Sequence, residues 1–295
     1  MIKNKIHQMI LSLLLLSVTI ETYSQPVNIA MVYVEGGTFL MGCDDARDNV
    51  DGGCIPNGEK PAHKVSLRSF YIGKYEIIQG EWFTVMGSNF SYFSGCGNIC
   101  PVERVSWYDV LVFCNKLSLR NNRTPVYTIN GNTDPQVWGP VPTQSPNVTW
   151  DGVQMDLAAN GYRMPTEAEW EYAARGGQSS LDYPYPGSNN AHEAGWNSEN
   201  PNTMAKTHPR GQLKANELGI HDMSGNVGEW CWDSYKTDFY QPEQCNPRNN
   251  IIGSLCIARG GNWLYERRYC RSASRTGNSP SVRGMNLGLR LASSQ

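Results

Sequence analysis

Ten consecutive residues, His221-Asp222-Met223-Ser224-Gly225-Asn226-Val227-Gly228-Glu229-Trp230, pack oxygen donors and two glycines ahead of a tryptophan. A hard cation such as calcium takes several oxygens and tolerates mixed carboxylate and carbonyl ligands. Glycine lets the backbone curl so that carbonyls converge. The run therefore suits a tight loop around a cation better than a helix or a strand. The other reading is a turn in which Asp222 and Glu229 accept hydrogen bonds from backbone amides. Two further runs follow, Arg259-Gly260-Gly261-Asn262-Trp263 and Asn286-Leu287-Gly288-Leu289-Arg290. Glu167, Glu169 and Glu171 stand at acid–base spacing, but beside a helix cap they read as cap and surface. No nucleophile elbow is present. His63, His192, His208 and His221 show no metal-ligand spacing. No catalytic residue is assigned.

The chain opens with Met1-Ile2-Lys3-Asn4-Lys5 and then runs apolar from Met9 to Ile20, with small residues Thr22 and Ser24 ahead of Gln25. A basic start, a short apolar core and small residues at a cut site predict a signal peptide over residues 1–24. Cleavage near Ser24-Gln25 would leave one domain over residues 25–295, exported to the periplasm, cell surface or medium. No cysteine follows the run, so a lipid anchor is not expected. Of 25 basic and 27 acidic residues the leader removes Lys3, Lys5 and Glu21, so the net charge moves from −2 to −3. No basic stripe points to nucleic acid, and no second apolar stretch could cross a membrane.

Nine cysteines in an exported chain read first as disulfides. Short polar loops favour Cys43–Cys54, Cys96–Cys100 and Cys245–Cys256. Elimination leaves Cys231–Cys270, with Cys114 a buried free thiol in an apolar run. Connectivity cannot be proved from spacing. A zinc site is the weaker alternative, since no Cys-x-x-Cys pair exists.

These groups need elements to hold them. Met31–Val34, Thr38–Met41, Lys64–Leu67 and Phe70–Ile72 read as short strands, the first two separated by the turn Gly36-Gly37. A short helix runs from Glu81 to Met86 and stops at Gly87. Ser106 with Asp109 starts a helix carrying an apolar stripe of Val110, Phe113, Cys114 and Leu117. Thr166 with Glu169 starts another, ended by Gly176-Gly177. Residues 124–156 read as an extended loop. Little regular pattern follows until the strand-like Ala258-Arg259 and Leu289–Leu291. The fold class is α+β, rich in loops and aromatic residues.

Seven motifs occur in order: Gly36-Gly37-Thr38-Phe39-Leu40-Met41-Gly42, Glu59-Lys60-Pro61-Ala62-His63, Pro101-Val102-Glu103-Arg104-Val105-Ser106-Trp107, Arg163-Met164-Pro165-Thr166-Glu167-Ala168-Glu169-Trp170-Glu171-Tyr172 and the three runs above. Together they resemble the formylglycine-generating enzyme (sulfatase-modifying factor) family over residues 31–292. The resemblance implies an irregular C-type-lectin-like fold with few short helices. It also implies structural calcium, held by the Asp222 and Glu229 carboxylates and by the Gly225 and Val227 carbonyls. A second calcium site of the family has no clear equivalent in Ala194-Gly195-Trp196-Asn197.

The family's oxidase uses two cysteines, four residues apart, shortly after the Gly-Gly, to bind copper(I) and convert a sulfatase cysteine to formylglycine. In this chain no cysteine stands between Cys256 and Cys270, and Cys270 falls beside Arg271-Ser272-Ala273, later than either catalytic position. Copper is therefore not expected, because copper(I) needs soft thiolates. Trp263, Tyr265, Glu266, Arg267, Arg268 and Tyr269 stand there instead. Tyr265, Arg267 and Arg268 would suit a partner surface for a protein or glycan. Equally, Trp263 and Tyr269 would be core and the arginines internally paired. The expected function is a calcium-stabilised binding or assembly module of this family. The alternative is a divergent formylglycine-generating oxidase.

Overall fold

A computed structural model describes residues 25–48, 50–237, 243–247 and 255–294. The expected leader lies outside the described residues. In chain order the strands are β1 (Met31–Val34), β2 (Gly37–Met41), β3 (His63–Leu67), β4 (Phe70–Gly73), β5 (Tyr127–Thr128), β6 (Gln154–Met155), β7 (Tyr162–Arg163), β8 (Gly228–Ser234), β9 (Glu243–Cys245), β10 (Cys256–Arg259), β11 (Arg275–Asn278), β12 (Leu287–Gly288) and β13 (Ala292–Ser293). They form sheets ordered β1-β4-β13-β7, β11-β10-β8-β12 and β2-β3-β9, with β5-β6 apart. The fold is mixed α and β, with few helices and curled sheets. Gly36-Gly37 does not close a hairpin: β1 pairs antiparallel with β4, and β2 pairs antiparallel with β3 in another sheet.

The predicted helices form where their caps lie. Ser106 Oγ accepts from Asp109 N at 3.1 Å, Asp109 Oδ2 accepts from Ser106 N at 2.8 Å, and the helix runs Trp107–Arg120. Val110, Leu111, Phe113, Cys114 and Leu117 are fully buried, so this helix forms the heart of the larger core. Trp82 stacks on Phe113 at 4.8 Å, and Trp232 packs on Trp107 and on Tyr127, each at 5.4 Å. Two buried indoles find backbone acceptors, Trp107 on Cys231 O and Trp230 on Val105 O. The aromatic content thus supplies much of the core that short strands cannot.

The Glu167–Ala174 helix departs from expectation. Its three glutamates do not form a solvated face; all are buried. Glu169 closes the Thr166 cap and pairs with Arg163 at 2.6 Å. Glu167 pairs with Arg275 and, at 3.3 Å, with Arg259. Glu171 pairs with Arg259 and, at 2.8 Å, with Arg175, which reaches Asp48 at 3.2 Å. The guanidiniums of Arg259 and Arg275 come from β10 and β11, so the helix docks on that sheet through charge as well as apolar contact.

Two of the four expected disulfides form, Cys43–Cys54 and Cys96–Cys100. The other two do not. Cys245 is exposed on β9 beside β3, whereas Cys256 is buried on β10 opposite Ser234. These thiols belong to different sheets. Cys231 and Cys270 are each buried and unbridged, and elimination had no geometry to support it. Cys114 is buried and free, as its apolar run suggests.

Native-state alkylation should therefore modify Cys245 alone, and Cys114, Cys231, Cys256 and Cys270 only after unfolding; protection of Cys245 as a disulfide in mass spectra would contradict this. Burial pushes the Glu171 carboxyl up, but Arg175 and Arg259 outweigh it and hold it at about 2. A depressed acid pKa stabilises the folded state above the unfolded value and loses that stabilisation as pH falls through the folded value. Glu171→Gln should cost about 3–5 kcal/mol in denaturant unfolding near neutral pH, because two buried guanidiniums each lose one of their carboxylate partners. The gap between wild type and variant should hold down to about pH 4.5 and close toward pH 2.

Candidate cation loop and partner face

The three C-terminal runs meet in space. Gly225 N donates to Gly260 O at 2.8 Å, Trp263 N donates to Asn226 O at 3.0 Å, and Arg290 grips Glu229. The turn is made by left-handed backbone at Asp222, Gly225 and Asn226 (φ 59°, 74° and 57°). Gly225 is required twice over, since a Cβ there would lie 2.0 Å from Trp196 O. The run is a loop only up to Val227; from Gly228 it becomes β8, whose neighbours are β10 and β12. Glu229 and Trp230 thus stand on a buried strand rather than in a loop. Its residues are buried on both faces, which hides the alternation that marks a half-exposed strand.

Asp222 and Glu229 are buried but differently occupied. Glu229 Oε1 accepts from Arg290 Nη2 at 2.6 Å, and its Oε2 accepts from Arg290 Nε at 2.9 Å and Trp170 Nε1 at 2.6 Å. Asp222 Oδ2 accepts from Gly211 N at 2.6 Å, while Oδ1 is buried with no partner. A third carboxylate, Glu76, joins them. Its oxygens accept from Asn226 Nδ2 at 2.7 Å and Val227 N at 3.1 Å. Glu76 was invisible to sequence reasoning: it lies 150 residues before Asn226 and no motif flanks it.

Three buried carboxylates therefore face one guanidinium, that of Arg290. Burial, with Asp222 and Glu229 nearby, pushes Glu76 well above the usual carboxylate range. Burial also raises Asp222, against the Gly211 amide and Arg290. An orphaned buried Asp222 oxygen, beside carboxyls whose ionisation burial opposes, fits a cation that would favour their charged forms. Among the described residues no three acidic, histidine or cysteine side chains converge as a metal cage, so carbonyls would have to complete the site. Arg290 and Trp170 already hold Glu229, which makes Asp222 the side chain with coordinating capacity to spare.

Beyond Gly261, Trp263 is buried and donates to Met285 O at 3.2 Å. Tyr265 is half-buried against Tyr269, with ring centroids 5.8 Å apart. Arg267 and Arg268 are exposed, yet both are paired. Arg267 bonds Asp51 at 2.7 Å and lies 3.6 Å from Glu199; Arg268 lies over the Tyr269 ring and 3.3 Å from Glu266. Arg267 thus fastens this loop to its surroundings, while Arg268 pairs within it. Cys270 is fully buried; its thiol lies 3.8 Å from Glu266 O, and burial pushes it up to about 12. Gly261 makes room for it, since a Cβ there would sit 2.5 Å from Cys270 Sγ.

Comparison with known proteins agrees with this architecture. The model of the sulfatase-modifying factor enzyme 1-like domain matches residues 18–295. Chaperone protein LppX of Paenibacillus barcinonensis is 42% identical over 79% of this chain and 78% of its own. A formylglycine-generating enzyme of Thermomonospora curvata is 28% identical over 91% of this chain and 94% of its own. Serine/threonine-protein kinase pkn1 of Chlamydia pneumoniae is 30% identical over 92% of this chain, which spans only 39% of that kinase. Among solved structures, Treponema denticola variable protein 1 superposes with a TM-score of 0.79 at 33% identity, covering 91% of this chain and 96% of its own. With a family model spanning nearly the whole chain and its three C-terminal runs joined in one loop-and-strand junction, this protein belongs to the sulfatase-modifying factor enzyme 1-like family.

Proposed function

We propose that this chain is an exported, calcium-stabilised binding or assembly module of the family and does not oxidise sulfatase cysteines. The observation that carries this reading is the state of Cys270. It is the sole cysteine after Cys256, and burial holds its thiol protonated far above neutral pH. Copper(I) chemistry of the family's kind needs a pair of accessible thiolates. The two disulfides support an oxidising compartment. The chaperone name carried by the Paenibacillus relative is consistent with a protein partner. The residues that would hold calcium are Asp222 and Glu229, through carboxylate oxygens, with the Gly225 and Val227 carbonyls. Bound there, the ion would favour the ionised forms of Glu76 and Asp222, which burial opposes. The partner face would be the loop bearing Tyr265, Arg267 and Arg268, with Arg267 acting by fixing the loop to Asp51.

Two outcomes test this reading. At a calcium concentration a hundredfold above Kd, a chelator should lower Tm by roughly 5–10 °C, and Asp222→Ala should abolish the difference; a chelator without effect on wild type removes calcium from the account. Incubated with copper(I) and oxygen, the protein should leave a Cys-x-Pro-x-Arg peptide unmodified by mass spectrometry. Turnover that disappears in Cys270→Ser would instead establish the oxidase.

A further inference from the structure

A cleft of about 810 Å³ opens where the turn between β3 and β4 faces the start of the Glu167–Ala174 helix. Small-molecule sites typically enclose about 300–1,000 Å³. None of the lining residues belongs to the cation turn or to the 263–269 loop. Of the lining side chains that are not buried, Arg68, Ser69, Asn246 and Ser294 are polar, and only Leu157 is apolar. The surface therefore suits a hydroxylated ligand better than an apolar one.

The buried side of the cleft holds an ion pair with a donor to spare. Arg163 is 1% exposed and lines the cleft. Its two Nη atoms bond Glu169 at 2.6 and 2.8 Å, while its Nε is buried with no partner. Glu169 has no such surplus, because its Oε2 also accepts from Thr166 N at 2.8 Å. Ser69 Oγ accepts from Gly36 N at 3.0 Å, and Thr166 Oγ1 accepts from Glu169 N at 3.2 Å, so each hydroxyl has its proton to give. Arg68 is exposed at the rim. It has no acidic neighbour in the chain and makes no ion pair among the described residues. Two guanidiniums against one carboxylate leave the lining with positive charge in excess and more donors than acceptors.

We infer that this cleft binds an acidic sugar, a pyranoside that bears a carboxylate. Arg68 meets the carboxylate, and the donors of Ser69, Thr166 and Arg163 meet ring and hydroxyl oxygens. Charge complementarity sets the sign of the ligand, and the polar lining sets the nature of its body. An extended peptide matches less well. β3 and β4, which carry the rim, have strand partners on both sides, and β7 is two residues long, so little free edge is present for strand addition. The inference goes beyond the binding-module reading, since neither calcium nor the 263–269 loop enters it.

Calorimetric titration of the purified chain with trigalacturonate and with its methyl ester tests the assignment. The acid should bind roughly tenfold more tightly than the ester, the effect of one hydrogen bond to a charged group. Arg68→Ala changes an exposed side chain, so it should leave Tm unchanged and erase the preference. Leu157→Trp should fill part of the cleft and weaken both ligands. Failure of trigalacturonate to bind, equal affinity for acid and ester, a preference that survives Arg68→Ala, or affinities untouched by Leu157→Trp would overturn it. Tighter binding of acetyl-trialanine through its free carboxylate would also overturn it, and would make the cleft a site for chain termini. The chelator and copper(I) measurements are separate from this titration, so its failure leaves the binding-module reading in place.

Discussion

Three glutamates of one eight-residue helix point into the interior, and most of the fold is arranged to meet them. Leaving a carboxylate buried without a partner costs several kcal/mol. Arg259, Arg275, Arg175 and Arg163 answer from four places in the sequence, and Asp48 extends the chain of charges into the loop closed by the Cys43–Cys54 disulfide. Loops that have few strands to anchor them are thereby tied to one centre. Such a network contributes specificity of arrangement more than raw stability, since each guanidinium has a planar fork that accepts only certain geometries. Apolar packing around Trp107, Trp230 and Trp232 supplies the rest.

A similar logic governs the junction of Asp222, Glu229 and Arg290. Gly225 allows the chain to pass against Trp196, and β12 brings Arg290 alongside β8. Arg290 also donates to Gly73 O and His221 O, both at 2.8 Å, so it stitches β4 to the turn while neutralising Glu229. Glu76 enters the same pocket and supports the turn through Asn226 and Val227. Burial opposes ionisation of Glu76 and Asp222 there, while Arg290 holds Glu229 charged.

Shared architecture does not carry shared chemistry. Function resides in the site that the fold carries. Here the thiol that remains is sealed beneath Gly261, while aromatic side chains of the neighbouring loop reach solvent.

Local signals determined what the chain alone could determine. Ser106 with Asp109 and Thr166 with Glu169 cap the helices they announce, because a cap is a bond between residues three apart. Tight loops closed Cys43–Cys54 and Cys96–Cys100 for the same reason. The seven ordered motifs carried the family and its fold. The tertiary structure decided the rest. Glu167 and Glu171 became interior because distant arginines arrived to pair with them. β8 was hidden by burial on both faces. Glu76 joined Asp222 and Glu229, and Arg104 met Tyr92, only when remote segments came together. Cys231 and Cys270 are buried and unbridged, since elimination in the sequence carries no information on which thiols meet in space. Spacing encodes bonds that close within a turn or a short loop; burial and charge pairing are settled by the whole chain at once.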